Sequence, residues 1–280
     1  MQPEAPLPVD DASLQAYYAQ GKEADRLATG LGRVEYLRTV EVLERILPDA
    51  AAVIADIGGG PGIYADHLLS LGHRVVHRDL VADHVEAIRA RHQPGTETGD
   101  RLDAAIGDAR HLDIADDSVD VVLLLGPLYH LPDPGDRRAA IREADRIVRR
   151  GGAIVAAAIN RHSVLLDGLL MKRADLVHPQ IYGLLDEVRE TGIIPPLFEG
   201  GFNGYAHTAE QLRDEVTQAD LTVEQLISVE GVSFALGDVD ARLDDPDERE
   251  RLLHVLRTCE SEPDLIGAGP HILAVARSTD

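Results

Sequence analysis

Residues 56–62 read Asp56-Ile57-Gly58-Gly59-Gly60-Pro61-Gly62, directly after an apolar run (Ala52 to Asp56) and directly before a helical stretch. Glycines packed this closely permit the positive φ of a tight turn. They also clear Cβ atoms from a ligand's path and leave N–H groups exposed at a helix start. The same segment, Gly60-Pro61-Gly62-Ile63-Tyr64-Ala65, fits the dinucleotide pattern G-x-G-x-x-G/A. Asp79 follows about 20 residues later, at the end of a second apolar run and next to Leu80, where a carboxylate can accept both hydroxyls of an adenosine ribose. Gly107-Asp108-Ala109 closes a third run. A carboxylate there can accept from an exocyclic amine, and the Ala109 backbone N–H can reach a ring nitrogen. Taken singly, each piece also suits a plain turn or a helix cap.

These groups need a scaffold that brings strand ends together. Apolar runs at Ala52–Ala55, Arg74–Asp79, 103–106, Val119–Leu125 and Ala153–Ile159 alternate with helical stretches marked by Ile63 to Leu71, by Val81, Val85 and Ile88, and by Ile141, Ala144, Ile147 and Val148. Strands alternating with helices predict an α/β, Rossmann-like domain: a parallel sheet wound on both faces, with ligands at its C-terminal edge. Further strands are expected at Leu221–Val229 and His271–Arg277, and a capping box at Thr208-Ala209-Glu210-Gln211 opens a helix to Ala219. The stretch 161–207 breaks the rhythm, helical over 164–176 and 181–188 and then loop-like. It is expected as a helical lid or substrate insertion between core segments 48–160 and 208–280. Residues 1–47 form an N-terminal helical lid with a break near Gly30 and Gly32, and 231–246 read as polar loop.

With Leu125-Gly126-Pro127-Leu128-Tyr129-His130-Leu131 added after the fourth strand, the ordered motifs resemble those of class I S-adenosylmethionine-dependent methyltransferases. The last motif is similar to a bacterial small-molecule subgroup carrying G-P-L-Y-H-L. The match runs from about 34 to 160 and resumes at 208–277. The resemblance implies a seven-stranded sheet with its last strand antiparallel and S-adenosyl-L-methionine across the glycine loop. Gly58, Gly60 and Gly62, following Asp56, would face the methionine moiety, Asp79 and Leu80 the ribose, and Asp108 and Ala109 the adenine, with Gly126 below the sulfonium. Ile63 departs from the small residue common in the family and would tighten the pocket.

Tyr17-Tyr18, with Glu23 and Arg26 downstream, would place aromatic rings near the cofactor's cationic sulfur, or simply pack on the sheet. Arg38 could pair the methionine carboxylate, or lie on the surface. Transfer is an in-line displacement that sometimes needs a base. His207 and His130 are the candidates, each alternatively a structural hydrogen-bonding group, with Tyr18 alongside. Tyr129, Phe202 and Tyr205 could wall a flat acceptor such as an indole in specialised metabolism, where loss of the ring N–H proton makes C3 nucleophilic. An NAD-dependent oxidoreductase would share the glycines and Asp79 but leaves Gly107–Ala109 unexplained, and a non-catalytic S-adenosylmethionine-binding protein stays open.

Composition sets the outer bounds. Lys+Arg total 27 against 49 for Asp+Glu, a net charge of −22 that repels nucleic acid and anionic lipid. Only Lys22 and Lys172 are lysines, as in a high-G+C bacterial genome. The lone Cys259 excludes an internal disulfide and sits where a buried structural thiol is expected. No histidine spacing suggests a metal site. The start carries neither a basic nor an apolar leader, so a cytoplasmic protein acting on a small molecule is expected, with homo-oligomerisation open.

Overall fold

A computed structural model of the chain describes residues 18, 26–170, 182–196 and 201–279. Tyr17 and Glu23 lie outside the described residues. A 3-10 turn at Arg26–Ala28 leads into helix α1 (Gly30–Ile46). Gly30 takes φ +56°, and a Cβ on Gly32 would stand 2.0 Å from the Arg26 carbonyl oxygen. The glycines thus make the bend where the sequence predicts a helix break. There follow β1 (Val53–Ile57), α2 (Ile63–Ser70), β2 (Arg74–Asp79), α3 (Ala82–Arg91), β3 (Leu102–Ile106), β4 (Val119–Leu124), α4 (Pro134–Ile147) and β5 (Val148–Asn160). Beyond these come α5 (Arg161–Leu170), α6 (Tyr182–Thr191), β6 (Ile193–Ile194), β7 (Gly204–His207), α7 (Ala209–Thr217), β8 (Leu221–Ser228), α8 (Val239–Asp244), α9 (Pro246–Cys259) and β9 (His271–Ser278).

The main sheet runs β3-β2-β1-β4-β5-β9-β8. Strands β1 to β5 pair in parallel, and β9 runs antiparallel to both β5 and β8, as the resemblance implies. Successive strand residues feed opposite faces. Ile54, Val121, Val155 and Leu273 pack with Val42, Leu43, Leu68 and Ile88 of α1, α2 and α3. Their neighbours Ala55, Val122, Ala156 and Ala274 pack with Ile141, Ala144, Leu212 and Val216 of α4 and α7. Both faces are therefore covered, which explains the unbroken apolar runs. The strand order reverses between β1 and β4, so their C-terminal ends open a crevice.

Several expectations shift. Ile193–Ile194 and Gly204–His207, expected as loop, are strands: β6 pairs β7 antiparallel, and β7 pairs β5 at Ile159↔Ala206 and Asn160↔His207. There β7 takes over from β4, whose last pairing is Leu124↔Ala156. Residues 231–246 hold a 3-10 turn (Gly231–Ala235) and α8 rather than loop alone; buried Val239 and Leu243 anchor α8 against Val34 of α1. Residues 30–46, assigned to a lid, bury Val42 and Leu43 in the core. The capping box forms as expected, with Gln211 N donating to Thr208 Oγ1 and Thr208 N to Gln211 Oε1, both at 3.2 Å. Cys259 closes α9 half-buried. Among the described residues, no helix is long and apolar enough to cross a membrane.

Candidate active site

The turn after β1 is built on three left-handed glycines, Gly58 (φ +66°), Gly60 (+59°) and Gly62 (+88°), the last at the N-cap of α2. Gly58, and Gly126 in the loop after β4, are also sterically required. A Cβ on Gly58 would meet the Pro127 ring at 2.7 Å, and one on Gly126 would meet the Gly58 carbonyl oxygen at 2.7 Å. The loops after β1 and β4 therefore touch backbone to backbone, as the switch point requires. Gly60 has nothing within 4 Å of where a Cβ would be. It faces a cleft of about 1050 Å³, measured up to its open mouth, that the turn shares with the ends of β2, β3 and β4.

Asp79, at the end of β2, lies across from the turn. Its Oδ2 accepts from Gly60 N at 2.8 Å, and its Oδ1 accepts from Val81 N at 2.8 Å and lies 3.1 Å from His84 Nδ1. Burial pushes this carboxyl up, but the bonds from His84, Val81 and Gly60 outweigh it and hold it below the usual carboxylate range. At the end of β3, Asp108 accepts from Arg110 through both oxygens at 2.7–3.0 Å, and Arg110 also reaches Asp136 at 2.9 Å. A carboxylate offers about four lone-pair sites, so Asp79, with three contacts, keeps acceptor capacity toward the cleft, whereas Asp108 is also held by the Arg110 backbone N–H at 2.8 Å and must share its oxygens with Arg110 to accept from a ligand. Leu80, Ala109 and Gly126 line it as well.

The opposite wall is aromatic. Tyr18 Oη lies 2.5 Å from His130 Nε2, and its ring meets His84 and His130 edge-on with centroids 5.1 and 5.4 Å apart. Tyr129 and Phe202 pack on the His130 ring at 4.8 and 5.3 Å. Tyr18, Tyr129 and His130 line the cleft, whereas Phe202 touches the imidazole without being part of the cleft lining. Burial drives the His130 imidazole down to about 4, only partly opposed by Asp79, so it is neutral near pH 7. Its Nδ1 is buried without a hydrogen-bond partner among the described residues.

Other predicted residues lie elsewhere. Arg38 is fully buried and pairs with Glu41 and Glu260. An inward position on α1 leaves it no path to the cleft, which corrects its assignment to a ligand carboxylate. His207 is also fully buried, at the end of β7, with Nε2 3.1 Å from Glu215. Arg137 pairs with the same Glu215 at 2.7 Å and stacks 3.7 Å above the Tyr205 ring. His207 and Tyr205 thus belong to a structural cluster between β7, α4 and α7, and neither lines the cleft. Burial would raise Glu215, but bonds from His207 and Arg137 outweigh it and hold it at about 2. Asp56 lies buried beneath the glycine turn, 3.2 Å from His77 Nδ1, and Gly62 contacts Ile88 rather than the cleft.

The cleft also contains residues to which no role was assigned. Arg26, Tyr64, His84 and Arg110 all line it. His84 could have been found as the polar residue in the first turn of the helix that follows Asp79, but Arg26 and Arg110 carry no motif. Away from the cleft floor, Glu35, Glu230 and His271 bring ligand-type atoms within 4.8 Å of one another. The Arg26 guanidinium already pairs with Glu35, and an imidazolium at His271 balances the second carboxylate.

Parallel strand order, antiparallel final strand and glycine turn together define the Rossmann-like fold of S-adenosylmethionine-dependent methyltransferases. Comparison with known proteins agrees. Residues 55–156 match the family model described as a methyltransferase domain. Malonyl-[acyl-carrier protein] O-methyltransferase of Yersinia pestis is 28% identical over 57% of this chain and 55% of its own length. Methyltransferase GfsG of Streptomyces halstedii is 31% identical over 51% and 49%. The chain thus spans about half the length of the curated relatives it matches. Among solved structures, the 1,6-didemethyltoxoflavin-N1-methyltransferase of Burkholderia thailandensis, with bound 1,6-didemethyltoxoflavin and S-adenosylhomocysteine, superposes with TM-score 0.58. It is 16% identical, over 99% of this chain and 93% of that one.

The residues present fit that cofactor. The space over Gly60 is clear, and acceptor carboxylates stand at the ends of β2 and β3 where an adenosyl group would need them.

Proposed function

We propose that this chain is an S-adenosylmethionine-dependent methyltransferase of bacterial specialised metabolism. Its acceptor is a small aromatic or heteroaromatic molecule, indole-like, methylated on nitrogen or carbon. The observation that carries this reading is a single cleft uniting the glycine turn, Asp79 and Asp108 with the Tyr18–Tyr129–His130 wall. Bound there, the cofactor supplies an electrophilic methyl group on a sulfonium.

The chain's own residues do the rest. Gly58 and Gly60 leave backbone for the methionine portion, Asp79 and Leu80 hold the ribose, and Asp108 with Ala109 takes the adenine edge. Tyr129 and Tyr18 stack a flat acceptor, and Gly126 leaves room beside the reacting centre. Orienting two reactants removes much of the entropic barrier. His130, rather than His207, is the base in this reading: as an acceptor N–H gives its proton to the Tyr18 oxygen, the Tyr18 phenol proton moves onto His130 Nε2, where the Asp79 charge opposes the burial that disfavours the imidazolium. The Burkholderia neighbour is an N1-methyltransferase of a small molecule, which supports an acceptor of that size. The net charge of −22 supports a partner other than nucleic acid.

Incubation with methyl-labelled S-adenosylmethionine and a panel of indoles, heteroaromatic amines, phenols and carboxylic acids tests the acceptor. Label on a ring nitrogen or carbon is expected. Label confined to carboxylates or phenols overturns the acceptor class.

A further inference from the structure

A cofactor ending in an amino acid needs a cation for its α-carboxylate. With Asp79 and Asp108 taking the nucleoside end, that carboxylate falls at the glycine-turn end of the cleft. Among the described residues, two arginines line the cleft. Arg110 stands at the nucleoside end, held by Asp108 and Asp136. Arg26 stands at the other, on the 3-10 turn before α1, sharing the wall with Gly58, Gly59 and Tyr64.

Behind Arg26 runs a chain of alternating charge. Glu35 of α1 grips both Nη atoms of Arg26, one bond at 2.9 Å. Glu35 Oε2 lies 3.7 Å from His271 Nδ1, at the start of β9. The same Nδ1 lies 2.5 Å from Glu230 Oε1, and Glu230 Oε2 accepts from His271 N at 3.0 Å. Glu230 is 1% exposed and Glu35 is largely covered, whereas the Arg26 side chain is 37% exposed. Two acids and two bases alternate from the sheet edge to the cleft, and bidentate pairing fixes the plane of the guanidinium as well as its position.

We propose that Arg26 is the cation that receives the cofactor's α-carboxylate, and that Glu35 and His271 are positioning residues that aim it. The proposal rests on the cofactor assignment made above and adds to it which residues read the amino-acid end. It also says why Arg38, four residues into the buried face of α1 beyond Val34, does not.

The test compares S-adenosylhomocysteine with 5′-methylthioadenosine, which keeps the nucleoside and sulfur but has no amino acid. Calorimetry of wild type, Arg26→Gln, Glu35→Gln and His271→Gln against both ligands separates the roles. Arg26→Gln is expected to weaken S-adenosylhomocysteine about 10- to 100-fold and the positioning variants about 3- to 10-fold, with 5′-methylthioadenosine unchanged. Retained 5′-methylthioadenosine binding shows that a variant is folded. Because Arg26 is partly exposed, its variant carries the test even if a buried one fails to fold. Equal weakening of both ligands, or no weakening of S-adenosylhomocysteine, overturns the proposal. Failure of the wild type to bind either ligand overturns the cofactor assignment itself.

Discussion

The Asp79 carboxylate reaches from the end of β2 to the Gly60 backbone N–H at 2.8 Å, so one side chain both fixes the glycine turn and faces the cleft. With Asp79 holding the ribose as proposed, cofactor recognition and loop geometry would be coupled. Asp79→Asn keeps the shape but removes the charge that strengthens these bonds. The expected loss is about 1.5–3 kcal/mol of folding stability, read by urea denaturation, together with weaker S-adenosylhomocysteine binding. Unchanged stability would show that the turn stands without Asp79.

Two glycines of the site should respond differently to the same change. Gly60→Ala meets open space and suffers only the left-handed backbone strain, about 1–2 kcal/mol. Gly126→Ala drives a methyl into the Gly58 carbonyl and must displace the loop after β1. It should cost more stability than Gly60→Ala, measured by thermal melts. A reversed order would refute the backbone contact between the two loops.

His130 and His207 should separate in kinetics. Tyr18→Phe and His130→Gln are expected to lower kcat about 10²-fold or more while leaving S-adenosylhomocysteine affinity within a few-fold. His207→Gln should lower stability, since it leaves Glu215 one partner short, without altering the pH profile of kcat. Loss of an ionisation from that profile in His207→Gln would restore His207 as the base.

Stability should fall on both sides of neutral pH for two identifiable reasons. Burial lowers His271, but Glu230 and Glu35 outweigh it and hold the imidazole up at about 9, above its ordinary 6.5. That stabilisation is complete below pH 6.5 and is lost as pH climbs through 9. His130, driven down to about 4, works in the opposite direction. The unfolded chain takes up a proton below its ordinary value while the folded one does not, so stability drains as pH falls from 6.5 toward 4. Denaturation midpoints across this range should show a flatter alkaline limb in His271→Gln and a flatter acid limb in His130→Gln.

Much of the fold was legible because covered strands leave continuous apolar runs and helix boundaries leave caps, as Thr208 and Gln211 do. The cleft-lining positions at the ends of β1 to β4 were legible because glycines and terminal aspartates are tied to local backbone geometry. The cleft position of Arg26 and the burial of Arg38 and His207 were not, because they depend on which face of an element turns inward. Arg38 follows the buried side of α1, and His207 falls on β7, a short strand that pairs only two residues of β5. Strand β6 has just two residues, too few for any periodicity to register.

Isothermal calorimetry with S-adenosylhomocysteine, beside NAD and repeated on Asp79→Ala, tests the central claim most directly. Micromolar binding of S-adenosylhomocysteine that disappears in Asp79→Ala, with NAD inert, is the predicted result. Binding of NAD in preference, or of neither ligand, would contradict the methyltransferase assignment.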